Sequence, residues 1–196
     1  ELSSFQLMRM KRSPHVAVIT NLAPNHLDVH KDMQEYIDSK CNIFLHQQEE
    51  DILVLNADNE LTAALESKAH GSVKLFSRKI EPKNGVFCRG DKIFRSVDGE
   101  ERFIMNASDI LIPGVHNIEN YMAAIAAVGN MVSDENILKV ARTFGGVEHR
   151  IELVRTLNGV RFYNDSIASS PSRTMAGLNS FDRKVILIAG GYDKHI

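Results

Sequence analysis

The chain has 196 residues, 43% hydrophobic and 24% charged, which is enough apolar mass for a core and excludes disorder and a coiled coil. Its 23 lysine and arginine residues against 25 aspartate and glutamate residues give a net charge of −2, which argues against nucleic-acid partners and a polybasic membrane surface. No apolar run reaches the roughly 18 residues of a membrane span, and the N-terminus lacks a signal-peptide pattern. Two cysteines, Cys41 and Cys88, favour a reducing, cytosolic compartment.

The first part of the chain predicts three strands of a parallel sheet with helices between them. The short apolar runs 16–22, 51–56 and 72–77 are typical of strands buried on both faces. Residues 32–48 and 59–70 have helical periodicity. Because strands and helices alternate, we expect parallel crossover connections and an α/β fold.

Turn dipeptides mark the elements of the remaining chain. Asn84-Gly85 and Asp98-Gly99 bracket a predicted small antiparallel hairpin of residues 86–89 with 92–97, and Asn158-Gly159 predicts a second hairpin. Further predicted elements are a short strand at 110–112, helices at 117–131, 133–143 and 171–179, the hairpin strands 151–157 and 160–163, and a buried strand at 184–189.

The glycine pair Gly145-Gly146 predicts a boundary between a domain at 1–146 and one at 147–196. The chain starts without Met and stops one loop past its last predicted strand. We therefore expect an internal piece of a longer enzyme, with part of a domain on each side of the boundary.

The loop 21–30 follows a predicted buried strand and carries His26, Asp28 and His30. Ligands of open α/β sheets bind beyond the carboxyl ends of the strands. Because neutral imidazole and carboxylate are ordinary ligands for a divalent ion, the loop is a candidate metal site. A solvated loop that happens to contain two histidines is the alternative.

Lys40 falls inside the apolar arc of its predicted helix, between Tyr36 and Phe44. Lysine is almost never fully buried without a partner. Two interpretations remain open at this point. Either the side chain reaches water with its amine while its stem is buried, or burial lowers the pKa of an amine that has a function.

Polar residues later in the chain form a second group of candidates. Asn117 and Asn120 share a helix face and either cap the helix or present amides to a purine or phosphate. Arg150 follows the predicted boundary and is either a surface residue or a bidentate phosphate ligand. Asp165 lies at the end of a predicted strand, shortly before a predicted helix N-terminus. This segment is either a polar site or a plain turn. The turn at 190–194 occupies the corresponding place after the next predicted strand.

Seven of these segments together resemble the Mur ligase family of peptidoglycan synthesis. They are ELSSFQL at 1–7, Asn21 with His26-Leu27-Asp28, Tyr36 with Lys40, GVHNIEN at 114–120, EHRIE at 148–152, NDS at 164–166 and GGYDK at 190–194. The opening ELSSFQL is the most specific, and it is similar to the branch of the family that adds D-glutamate.

The resemblance implies a three-domain enzyme. Residues 1–146 would be the second half of a P-loop-type central ATPase domain, and residues 147–196 would open a Rossmann-like domain that binds the incoming amino acid. No glycine of the chain introduces a Gly-Lys-Ser/Thr tripeptide, so the phosphate-binding P-loop is not in this sequence, and neither are GxSxG and HExxH.

The implied reaction joins D-glutamate to UDP-N-acetylmuramoyl-L-alanine through an acyl phosphate, with ATP and Mg²⁺, in a cytoplasmic monomer that serves cell-wall formation, cell shape and division. The resemblance assigns catalytic roles to Lys40 and His26, and it makes Glu1, His26 and the carbamate of Lys40 the magnesium ligands. It assigns nucleotide contacts to Asn117, Asn120, Arg150 and Asp165, and contact with a D-glutamate carboxylate to Lys194.

One position departs from the family pattern. Many members have lysine two residues after the strand-end aspartate, where this chain has Ile167, so the role of that lysine does not carry over. His30 matches a common but not universal residue and is left out of the predicted site. The alternatives are another ligase of the superfamily, such as a folylpolyglutamate synthase, and a non-catalytic structural fragment.

Overall fold

The computed structural model of the chain describes residues 1–24, 29–169 and 171–191, and it shows a mixed α/β architecture. Its largest element is a six-stranded sheet whose strand order follows the chain. The strands are β1 (Val16–Ile19), β2 (Ile52–Asn56), β3 (Ser72–Ser77), β4 (Gly85–Arg89), β5 (Lys92–Val97) and β6 (Glu100–Asn106). Strands β1 to β4 pair in parallel, and β5 and β6 continue the sheet as an antiparallel meander. A two-stranded antiparallel sheet pairs β7 (Glu152–Leu157) with β8 (Val160–Asn164).

Helices cover the sheet, and several begin at side-chain caps. The α-helices are α1 (Ser4–Leu7), α2 (Met33–Cys41), α3 (Glu60–Ala63), α4 (Val115–Val128), α5 (Asp134–Thr143) and α6 (Pro171–Leu178), with 3₁₀ turns at Ala64–Lys68, Ala107–Asp109 and Gly129–Met131. Asp32 caps α2 and Ser133 caps α5, each accepting a hydrogen bond from a backbone amide three residues on. Across the residues that the structure describes, no helix is both long and apolar enough to span a bilayer.

The sheet carries a hydrophobic core on each face. Because side chains alternate along a strand, Val54 of β2 packs into one core while Leu53 and Leu55 pack into the other. The first core is completed by α4 and α5, and the second by α2 and the turn that follows it. The parallel strands are therefore covered on both sides, as their continuous apolar sequences predict.

The predicted strands 51–56, 72–77, 86–89 and 92–97 are confirmed, and so is the hairpin at Asn158-Gly159. The small hairpin is larger than predicted, because β6 pairs with β5 and β4 joins the parallel sheet. The signal for β6 was the Asp98-Gly99 turn, whose φ values of 52° and 88° suit a two-residue hairpin loop.

Two predicted strands are wrong. Residues 110–112 are irregular and lead from a 3₁₀ turn into α4. The Ile110 amide donates to the carbonyl of Ala107 and the Leu111 amide to the carbonyl of Ala141, so neither bonds to a neighbouring strand. Residues 184–189 also have no strand structure, and Ile186 and Ile188 are more than nine-tenths exposed. A strand needs a hydrogen-bonded neighbour, and in the described ranges no strand pairs with this segment.

Gly85 is required where β4 approaches β3. Its φ is +149°, and a Cβ there would collide with the backbone carbonyl of Leu75. We expect Gly85→Ala to lower the free energy of unfolding of the full-length protein by about 3 kcal/mol, because neither backbone can move without breaking the sheet. Chemical denaturation measures this difference. Gly145→Ala is the matched control, since no atom of the described residues lies within 4 Å of its Cβ position, and equal stability losses in both variants would contradict the explanation.

Candidate functional site

Lys40 lies near the end of α2 and is half-buried, with its amine directed at the start of the chain. Its Nζ donates a hydrogen bond to the carbonyl oxygen of Leu2 at 3.1 Å and lies 5.9 Å from the ring centre of Tyr36. Burial lowers the pKa of the Lys40 ammonium, and the nearby carboxylate of Glu1 partly opposes that shift. Lys40 is thus neither a surface lysine nor a lysine with a strong ionic partner, which is consistent with an amine that reacts in its neutral form.

Two of the three predicted magnesium ligands, Glu1 and Lys40, lie within the described residues. Glu1 is exposed and lies close enough to Lys40 to affect its titration. His26, like Asp28, lies outside the described residues. No cluster of three His, Cys, Asp or Glu side chains suited to a metal occurs within residues 1–24, 29–169 and 171–191. The carboxylate of Glu1 is nevertheless a hard oxygen donor of the kind that Mg²⁺ prefers.

His30 is a buried residue of this region that the sequence analysis left out. The ring is 3% exposed and stacks on Phe5, with 5.3 Å between ring centres, while Tyr36 contacts it edge-on. One ring nitrogen, Nε2, is 2.9 Å from Ser4 Oγ, and the other, Nδ1, is 3.6 Å from a Glu35 oxygen. His30 therefore fixes α1, which carries the opening segment, against α2, which carries Lys40. Ser4 and His30 are 26 residues apart, so no local spacing signals the pair.

The two asparagines of α4 bond to their own helix end. Asn117 is buried, and its Nδ2 donates to the carbonyl of Pro113 at 2.6 Å. Asn120 is exposed and donates from Nδ2 to Asn117 Oδ1 at 3.3 Å. Asn117 thus stabilises the turn that leads into α4, and it also holds the amide of Asn120 at the surface. The capping interpretation is wrong for this pair, because the N-cap of α4 is Gly114 and neither asparagine side chain caps the helix.

Arg150 and Asp165 lie near the beginning of α4. Burial lowers the pKa of His116. The charges of Glu119 and Asp165 oppose that shift, whereas the charge of Arg150 adds to it. Asp165 Oδ1 accepts a hydrogen bond from the Ile151 amide at 3.1 Å, whereas Arg150 is exposed. The structure therefore brings the segments containing Asn117, Arg150 and Asp165 together, although they lie far apart in sequence.

A cleft of about 350 Å³ opens beside the start of α4. Its walls include Pro113, Gly114 and Ile118 on one side and Ser180 and Phe181 on the other. Small-molecule sites are apolar clefts of roughly 300 to 1,000 Å³ with a few polar groups. The cleft is therefore large enough for a planar heterocycle. Lys194, the predicted D-glutamate ligand, lies outside the described residues.

The glycine pair at the predicted boundary lies in an exposed segment after α5. Gly146 has a φ of 100°, which costs little for glycine. We expect limited thermolysin digestion of the full-length protein to cut within residues 144–147 before it cuts α4, whose side chains are buried in the core. Mass spectrometry of the first fragments identifies the site, and initial cleavage inside α4 would contradict the boundary.

Comparison with known proteins identifies close relatives over the whole chain. The family profile of the Mur ligase middle domain matches residues 1–128. UDP-N-acetylmuramoylalanine–D-glutamate ligases from Acetivibrio thermocellus and Clostridium botulinum are 62% and 58% identical, respectively, over all of this chain. The chain spans 42% of the length of each of these relatives.

Solved structures show the same fold at low sequence identity. MurF from Acinetobacter baumannii superposes with a TM-score of 0.67 at 21% identity, covering 87% of this chain and 38% of that one. MurC from Thermotoga maritima superposes with a TM-score of 0.62 at 20% identity, covering 91% of this chain and 40% of that one. A MurF ligase from the same organism, solved with ADP, has a TM-score of 0.59 at 16% identity, covering 86% and 39%.

Proposed function

The chain belongs to the Mur ligase family, and from that premise we propose that its protein joins D-glutamate to UDP-N-acetylmuramoyl-L-alanine in peptidoglycan precursor synthesis. The observation that carries the proposal is the identity of 62% and 58% to relatives named for that reaction over all 196 residues. The opening segment ELSSFQL leads into α1, and the Leu2 carbonyl within it accepts a hydrogen bond from Lys40.

The reaction we propose is ATP-dependent amide formation in two steps. A substrate carboxylate oxygen attacks the γ-phosphorus of ATP, which gives an acyl phosphate and releases ADP. The amine of D-glutamate then attacks the acyl carbon and loses a proton, and inorganic phosphate leaves as the amide forms. Catalysis of such transfers is mainly positioning and charge stabilisation.

Lys40 has the properties that carbamate formation requires. The ammonium first loses one proton, and the neutral amine then attacks carbon dioxide and releases a second proton, so a cationic side chain becomes an anionic one. Burial, which lowers the pKa of Lys40, favours the reacting form. We propose that the resulting oxygens hold Mg²⁺ together with Glu1 and His26. When bound, Mg²⁺ neutralises phosphate charge in the transition state.

The cleft beside α4 has room for the base of the nucleotide. We propose that the base lies in this cleft, whose lining includes the start of α4, and that Asn117 and the exposed Asn120 amide, which Asn117 holds in place, contact other parts of the nucleotide. Arg150 is exposed and free to pair with a phosphate, and Asp165 holds the Ile151 backbone next to it.

We assign the D-glutamate carboxylate to Lys194. The free cysteines Cys41 and Cys88 support the cytoplasm as the compartment, and we propose a monomer.

The test is an amide-product assay with the full-length enzyme, ATP and Mg²⁺. Product mass and phosphate release are measured with UDP-N-acetylmuramoyl-L-alanine and D-glutamate, and L-glutamate and meso-diaminopimelate serve as competing amines. We expect product with D-glutamate alone. A dihydrofolate acceptor with L-glutamate tests the folylpolyglutamate alternative, and turnover of that pair alone would overturn the proposal.

A further inference from the structure

A second cavity, of about 90 Å³, lies at the opposite end of α4 from Asn117. Its polar lining includes Lys74 of β3, Arg95 of β5 and Asn130, and Gly129 closes one side. Gly129 lies 12 positions after Asn117, which corresponds to about 18 Å along a helix. The cavity is therefore remote from the nucleotide cleft.

Arg95 is a buried guanidinium with an incomplete set of partners. It is 7% exposed, and only Nη1 has a hydrogen bond, to Asn130 Oδ1 at 3.2 Å. Within the described part of the chain, its Nε and Nη2 have no partner. The nearest carboxylate oxygen, on Asp134, is 3.9 Å from Nη1 and is bonded more closely to Arg102, at 2.8 Å. Two buried donors thus carry the full cost of desolvation.

Lys74 brings a second positive charge to the same cavity. Its Nζ lies 3.3 Å from the Cβ position that Gly129 would have, and Arg95 and burial both lower the pKa of its ammonium. None of the residues that line the cavity is acidic. Asp134, which is shared between Arg95 and Arg102, and the C-terminus of α4, worth about half of one charge, offset part of this positive charge. The cavity keeps an excess of positive charge that an anion would balance.

We propose that this cavity binds a small tetrahedral oxyanion of the phosphate class. The cavity lining combines two cationic side chains, Arg95 and Lys74, with the amide of Asn130, and guanidinium and ammonium groups are the usual protein partners of phosphate oxygens. A water needs roughly 10 to 15 Å³, so a volume of about 90 Å³ accommodates one such ion but not a nucleotide. The site is independent of the ligase reaction.

The test uses the full-length protein with inorganic phosphate as the probe, at constant ionic strength in chloride. A non-hydrolysable ATP analogue with Mg²⁺ is present in excess, so that phosphate cannot bind in the nucleotide site. Isothermal titration calorimetry compares the wild type with Lys74→Gln, whose side chain is partly exposed, and with Lys92→Gln, an exposed control on β5. We expect Lys74→Gln to raise the Kd at least tenfold and Lys92→Gln to leave it unchanged.

Arg95→Lys is a second variant, which keeps the positive charge and removes the planar guanidinium with its several N–H donors. It is expected to weaken phosphate binding as well. If that variant does not fold, Lys74→Gln decides the question. Ribose 5-phosphate distinguishes the source: binding of orthophosphate alone supports a free ion, and equal binding of both supports a phosphoryl group on a metabolite. No phosphate binding, or the same Kd in Lys74→Gln and Lys92→Gln, would overturn the proposal.

Discussion

Lys40→Ala in the full-length enzyme is expected to reduce kcat at least about a hundredfold, the scale of losing one preorganised electrostatic group. The variant lacks the amine that we propose to become a carbamate, and with it an anionic ligand for Mg²⁺. Phosphate release under saturating substrates measures the loss. Lys31→Ala is the matched control, because Lys31 is exposed just before the same helix, and it is expected to keep full activity.

A small carboxylic acid should partly restore the Lys40→Ala variant. Acetate carries the two oxygens and the negative charge that the carbamate would supply, and the truncated side chain leaves room for it. Activity should therefore rise with acetate in Lys40→Ala and stay constant in Lys31→Ala. Near-normal activity of Lys40→Ala without any acid would show that Lys40 is a packing residue only.

The carbamate also makes the wild-type enzyme sensitive to pH and carbon dioxide. Only the neutral amine of Lys40 reacts, so carbamate is lost as the pH falls below the pKa of that amine. Burial lowers this pKa, which extends carbamate formation to lower pH than an exposed lysine would allow. Removal of carbon dioxide should reduce the activity, and added bicarbonate should restore it.

The parts of the fold that the sequence predicts are those with local causes. Apolar runs define β2 and β3, the Ser133 cap starts α5, and Asn158-Gly159 sets the second hairpin. The failures concern pairing, which depends on distant residues. The apolar run 184–189 resembles a strand, but its backbone has no hydrogen-bonded neighbour among the described strands.

The candidate site divides in the same way. Helical periodicity was sufficient to mark Lys40 as a lysine on an apolar face, and the structure places it there, half-buried. The contact of His30 with Ser4 depends on the packing of α1 against α2, and the meeting of Lys74 with Arg95 depends on β4 lying between β3 and β5. Neither contact has a spacing that the sequence alone displays.

A substitution at Lys194 is expected to affect the binding of the amino acid and not the binding of ATP. The resemblance assigns it to a carboxylate of D-glutamate, and the residue lies outside the described part of the chain. A charge-assisted hydrogen bond contributes roughly 1.5 to 3 kcal/mol, and each 1.4 kcal/mol is about tenfold in affinity. Loss of the ammonium should therefore act on D-glutamate binding and leave the nucleotide cleft beside α4 unchanged.

In the full-length enzyme, Lys194→Ala is expected to raise the KM for D-glutamate about 10- to 100-fold, with a change of less than about twofold in the KM for ATP, because only the amino acid loses an ionic contact. Initial rates with each substrate varied in turn give both constants. Lys184→Ala, a change at an exposed lysine of the same region, controls for net charge and should alter neither. Lys194→Arg should recover part of the D-glutamate affinity, since it keeps the charge but changes the donor geometry. Equal increases in both KM values would place Lys194 away from the amino acid.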